Sequence, residues 1–169
     1  MKNDSGPKGK DRRTAASKAL TIAAARVGEL GRLAVTALAE LAKDTDSDVL
    51  KAAFDALAAA SAAAGGVELV RQVTALAELA KDSHSDVRKA ACGPLATVAA
   101  TAGDVDPVRQ AVTALAGLAK DTESGVREAA FDALATAAAA DRDAELLRQA
   151  VIALAEFAKD SDWHVRKAA

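Results

Sequence analysis

The chain has 169 residues, a formal charge of −2 at pH 7, and a composition that is 51% hydrophobic and 27% charged. Acids and bases are interspersed, which excludes the strongly basic balance of a general nucleic-acid binder, so nucleic acid is not the expected partner. The single Cys92 excludes an intrachain disulfide, and no uncharged apolar run reaches the roughly 18 residues of a membrane span.

Much of the apolar content is Ala, and Trp163, Phe54, Phe131 and Phe157 are the only aromatic residues. A core built this way rests on Leu, Val and small side chains that let helices approach closely. Ala is also the strongest helix former, so composition points to an all-α protein.

In chain order, residues 1–13 (MKNDSGPKGKDRR) are polar and mildly basic. No apolar h-region follows their charges, so they read as a disordered tail and not as a secretory signal. Residues 14–27 align with a later helix: Ala15, Ala16 and Leu20 fall where Ala129, Ala130 and Leu134 fall. That segment reads as a half-repeat.

Residues 28–65 read as two helices. In the first, Val35, Leu38, Ala39, Leu41 and Ala42 make one apolar stripe. A polar turn over residues 43–48 follows, in which Asp46 or Ser47 can cap the next helix. The second helix carries Val49, Ala52, Ala53, Ala56, Leu57 and Ala60 at helical spacing. The pattern returns over 66–104 and 105–143, and in truncated form over 144–169.

The recurrence is explicit. VTALAELAKD begins at Val35 and Val73, and returns as VTALAGLAKD at Val112 and VIALAEFAKD at Val151, at spacings of 38, 39 and 39 residues. Val73–Ala111 and Val112–Ala150 share 23 identities in 39 positions. A hairpin of this kind cannot bury its stripe alone, so neighbours must stack into a solenoid.

The second helices carry a further signature. Asp82, Val87, Arg88 and Ala91 recur as Asp121, Val126, Arg127, Ala130 and as Asp160, Val165, Arg166, Ala169. In the first full unit Asp44, Val49 and Ala53 fit, but Leu50 replaces the Arg. This D-x4-V-R-x2-A pattern resembles the HEAT repeat, over roughly residues 14–169. The resemblance implies a right-handed α-solenoid of stacked antiparallel hairpins, with second helices lining the concave face. It also implies an Asp–Arg ladder between units, through Asp44, Asp82, Asp121 and Asp160 and Arg88, Arg127 and Arg166. The period is slightly shorter than the usual range of about 40–47, and the proline that often bends the first helix is missing.

No constellation points to an enzyme, a metal or a cofactor. His84 and His164 lie in turns with no ligand at metal spacing, and Cys92 replaces Phe54 and Phe131, as a small core residue. The acids Asp44/Asp46 and Asp160/Asp162 recur with the repeat, where a catalytic pair is unique. Gly65-Gly66 lacks the Lys-Ser/Thr of a phosphate loop. Gly93-Pro94 interrupts one second helix and is expected to bend it, or to change the local curvature of the solenoid so that a binding groove is shaped there. Arg71, Arg109 and Arg148 form a further row, but acids lie beside them and no aromatic interleaves for base stacking.

The expected function is a non-catalytic scaffold that binds an unidentified protein on its concave face. Candidate contact residues are Lys51, Asp55, Arg88, Lys89, Arg127, Glu128, Asp132 and the anomalous Trp163, which stands where other units have Ser. End-to-end self-assembly is the alternative, as is an engineered chain without a natural ligand. A phosphate-contacting module ranks third. The cytoplasm is the expected compartment.

Overall fold

The structure is a computed structural model that describes residues 7–24 and 29–140, with single positions at 148, 152, 155 and 159. Seven helices make up the described residues, and none of these residues is in a strand. They are α1 (Pro7–Ala24), α2 (Glu29–Leu41), α3 (Ser47–Ala63), α4 (Gly66–Leu79), α5 (Ser85–Thr101), α6 (Val105–Leu118) and α7 (Ser124–Ala139).

The helices sort into two layers. α1, α3, α5 and α7 pack side by side in sequence, and α2, α4 and α6 form the other layer. Each described repeat contributes one helix to each, and α1 stands in the second-helix layer as a half-unit. This is an α-solenoid.

The apolar stripes explain the layering. Leu38, Leu76 and Leu115 are fully buried on the first helices, and Leu57, Leu95 and Leu134 on the second. Between them lie Ala53, Ala91 and Ala130, each 0% exposed. Small residues at these positions bring the second helices together, and one continuous core of Leu, Val and Ala runs through the stack.

The helix ends follow local chemistry. Asp46 caps α3, its carboxylate accepting from the amides of Asp48 and Val49. Gly66 begins α4 at φ +53°, a conformation that the missing Cβ permits. Cys92 is buried in the core, and burial pushes its thiol up to about 12.

Two expectations are corrected. The disordered tail over 1–13 does not hold for its second half, because α1 already begins at Pro7. Proline suits a first helical position, where its missing N–H costs nothing. Lys10 then pairs with Asp48 and Asp46, and Arg13 Nε lies 2.9 Å from Asp44 Oδ2, which ties this turn to the next unit. The second correction concerns Gly93-Pro94, which does not interrupt its helix. α5 runs unbroken from Ser85 to Thr101 with Pro94 buried inside it.

The 38-residue spacing of the second unit has a structural consequence. Counting back from the shared Val, Gln72 takes the place of Ala34 and Ala111, and it is 0% exposed. Its Nε2 donates to the carbonyl of Ala24 at 2.8 Å. Glu68 is dragged inward with it, to 2% exposure. The corresponding pairs Glu29–Arg32 and Asp106–Arg109 stand in solvent. Glu68 Oε2 accepts from Arg71 at 2.6 Å, while Glu68 Oε1 and Gln72 Oε1 find no hydrogen-bond partner among the described residues.

Candidate interaction surface

The repeat motif first builds its own scaffold. Arg88 Nε and Nη2 donate to Asp121 Oδ2 and Oδ1 at 2.6 and 2.8 Å, a two-pronged bond from one unit to the next. Arg88 Nη1 also donates to the carbonyls of Asp82 and Ser83, at 3.0 Å each, in the turn of its own unit. Arg127 repeats this turn contact with Asp121 and Thr122. The paired carboxylate works locally too: Asp121 Oδ1 accepts from the amide of Glu123 at 2.9 Å.

The Arg88 guanidinium therefore holds the Asp121 carboxyl below the usual carboxylate range, and Asp121 holds Arg88 up. Arg13 makes the equivalent contact to Asp44. It occupies the Arg127 position of the half-repeat, one residue before the segment that the sequence marks as one. The rung between them is incomplete. Leu50 stands where Arg13 and Arg88 stand, and Asp82 instead accepts from the amide and Nδ1 of His84.

Arg88 and Arg127 are thus engaged within the scaffold. The other arginine row is similarly neutralised, since Arg71 pairs with Glu68 and Arg109 with Asp106. Among the candidates, Lys51 and Asp55 form an exposed i,i+4 pair at 2.9 Å on α3. Lys89 on α5 and Asp132 on α7 line one groove across the second-helix layer, and Glu128 is exposed on α7. Trp163, His164, Asp160 and Arg166 lie outside the described residues.

That groove encloses about 670 Å3. Ala90, Ala96, Ala129 and Ala133 floor it, and Asp86, Lys89 and Asp132 rim it. A second hollow, of about 390 Å3, adjoins it and is lined by Leu50, Lys51, Phe54 and Asp55. Gly93 belongs to both. It stands where α3 and α7 carry Asp55 and Asp132, and a Cβ there would meet nothing within 4 Å. The two hollows share Leu50, Ala90 and the bare backbone at Gly93, and together they form the trough across α3, α5 and α7.

A hollow of about 680 Å3 lies in the first-helix layer between α4 and α6. Gly117 lines it, where other units have Glu40 and Glu78. Among the described residues no cluster of His, Cys, Asp and Glu could hold a metal ion, and no helix is long and apolar enough to cross a membrane.

Comparison with solved structures agrees with this geometry. Two engineered proteins from a structural genomics consortium superpose with a TM-score of 0.56 at 25% identity. They match over 98% of this chain and over 72% and 74% of their own lengths. The chain has the fold of a HEAT/armadillo-like helical repeat protein. A designed armadillo repeat protein in complex with the peptide (KR)4 shares the fold at TM-score 0.54 and 19% identity, over 97% of this chain and 84% of its own. Computationally designed armadillo repeat proteins for modular peptide recognition share it at TM-score 0.51 and 23% identity, over 98% of this chain and 75% of their own. No protein-family model matches the sequence, and no curated protein matches it.

Proposed function

We propose that this chain is a non-catalytic scaffold that binds an extended segment of another protein in the trough across α3, α5 and α7. The single observation that carries the reading is that the two hollows meet at the bare backbone of Gly93. An alanine floor with charges of both signs on its rim suits a main chain that lies flat and sends side chains to either edge. The peptide-binding function of two designed armadillo proteins of the same fold supports the reading by analogy.

The electrostatics favour a protein over a nucleic acid. Asp55, Asp86 and Asp132 line the hollows, and carboxylates repel phosphate. The arginines that would form a phosphate track are occupied by Glu68, Asp106 and Asp121.

Peptides selected from a random phage-displayed library against the immobilised protein test the proposal. Their affinity for the wild type and for Gly93→Glu is read by fluorescence polarisation. The glutamate has room on the helix and fills the trough, so binding should weaken at least tenfold while the circular dichroism spectrum is unchanged. Selected peptides that bind both proteins equally would place the binding surface elsewhere.

A further inference from the structure

The charged rows that flank the trough differ from helix to helix. On α3, Lys51 is closed by Asp55 of its own helix at 2.9 Å. On α5 the same position is Lys89, but Gly93 takes the place of the aspartate. A second aspartate is missing on the neighbouring helix. α3 and α5 carry Asp48 and Asp86 in their first turns, whereas α7 carries Gly125 there. Lys89 Nζ reaches to 3.6 Å from the point where a Cβ would stand on Gly125. Two glycines thus remove from Lys89 the acid four residues ahead and the acid of the helix that its ammonium approaches.

α7 shows the reverse. Glu128 replaces the lysine and Asp132 is kept, so two carboxylates stand at i,i+4, a spacing at which like charges repel. Lys89, Glu128 and Asp132 are all exposed, and none of them has an ion-pair partner among the described residues. Across this face α3 is neutralised internally, α5 offers an ammonium, and α7 offers carboxylates.

We infer that the trough selects a peptide of mixed charge, with an acidic side chain that meets Lys89 and a basic one that meets Asp132 and Glu128. The inference rests on the trough as the binding surface and specifies its ligand. Neighbouring helix axes lie roughly 8–10 Å apart and an extended chain rises about 3.3 Å per residue, so the two charged residues stand about two to four positions apart. Small side chains between them lie over the alanine floor. A uniformly basic segment is repelled by Lys89, and a uniformly acidic one by Asp132 and Glu128.

Peptides selected from the phage-displayed library carry the test, each also synthesised with its acid changed to the matching amide or its base changed to methionine. Fluorescence polarisation reads their affinity for the wild type, Lys89→Met, Gly125→Asp and Asp132→Asn. Loss of the acid should weaken binding to the wild type about threefold. It should cost nothing against Lys89→Met, or against Gly125→Asp, where the restored aspartate closes the ammonium. Loss of the base should also weaken wild-type binding about threefold, and less against Asp132→Asn. Peptides that Gly93→Glu blocks, yet that carry no acid or whose acid matters equally to Lys89→Met, overturn the mixed-charge selection and leave the trough in place. Peptides indifferent to Gly93→Glu, or a library that yields no binder, overturn the trough and this inference with it.

Discussion

Arg88 and Asp121 each serve two structures, the turn beside them and the joint between units. Their side chains are 15% and 9% exposed, so removing either strands a partner that solvent reaches poorly. Arg88→Ala should destabilise the chain by about 1–2 kcal/mol in urea unfolding. The depressed Asp121 carboxyl gives this a pH signature. Its stabilising contribution is present above the ordinary Asp range, near about 4, and is lost as pH falls through the lower folded value. Acid unfolding of the wild type should therefore steepen below about pH 4, and Arg88→Met should flatten that slope. The missing rung gives a complementary test. Leu50→Arg and Asp82→Asn, combined in a double-mutant cycle, should show a coupling of about 1 kcal/mol, and zero coupling would mean that the new arginine does not reach Asp82.

The ladder motif was legible in the sequence because Asp and Arg recur in register. Arg13 was not recognised, although the alignment of Ala15 and Ala16 with Ala129 and Ala130 puts it opposite Arg127. Its neighbours Lys8, Lys10 and Arg12 gave the segment the composition of a solvated tail. Composition averages over a window, whereas the ion pairs of Lys10 and Arg13 with Asp46, Asp48 and Asp44 act at single positions.

At the scale of the element, hydrophobic periodicity located the hairpins well, because the first helices bury one stripe and leave the opposite face wet. Two local features escaped it. A proline removes one helical hydrogen bond, yet α5 continues through Pro94, because packing on α3 and α7 outweighs that loss. Pro94→Ala places there the residue that α3 and α7 carry as Ala56 and Ala133. It should raise stability by about 1–3 kcal/mol, seen as a higher thermal midpoint. The other feature is the one-residue shortening before Val73. One residue turns a helix by about 100°, so the shortening carries Gln72 and Glu68 into the core. An alanine inserted between Gln72 and Val73 restores the spacing of the next unit. Gln72 and Glu68 should then move to solvent, and stability should rise by about 1 kcal/mol or more as two unpartnered acceptors leave the interior.

Across the described residues, each unit packs on its neighbours in sequence, so the stack is held by the joints between adjacent units. Its architecture was readable because four copies of one motif repeat the same instruction. The surface proposed for binding was less readable, because the residues that shape it are departures from the repeat. Gly93 is one: it replaces an aspartate and leaves bare backbone in the trough, where the sequence suggested a bend or a change of curvature that shapes a groove. Lys51, Asp55, Lys89 and Asp132 come together on that face, whereas Arg88 and Arg127 are drawn into the scaffold. The trough is thus a product of exceptions laid over a regular frame.

Backbone and methyl chemical shifts recorded while a phage-selected peptide is titrated into the 15N,13C-labelled protein test this central claim most directly. The account predicts saturable shifts concentrated at Leu50, Gly93, Ala96, Ala129, Asp132 and Thr136, with α2, α4 and α6 little changed. Shifts concentrated on the α4–α6 hollow around Gly117, or spread evenly over both layers, would contradict it.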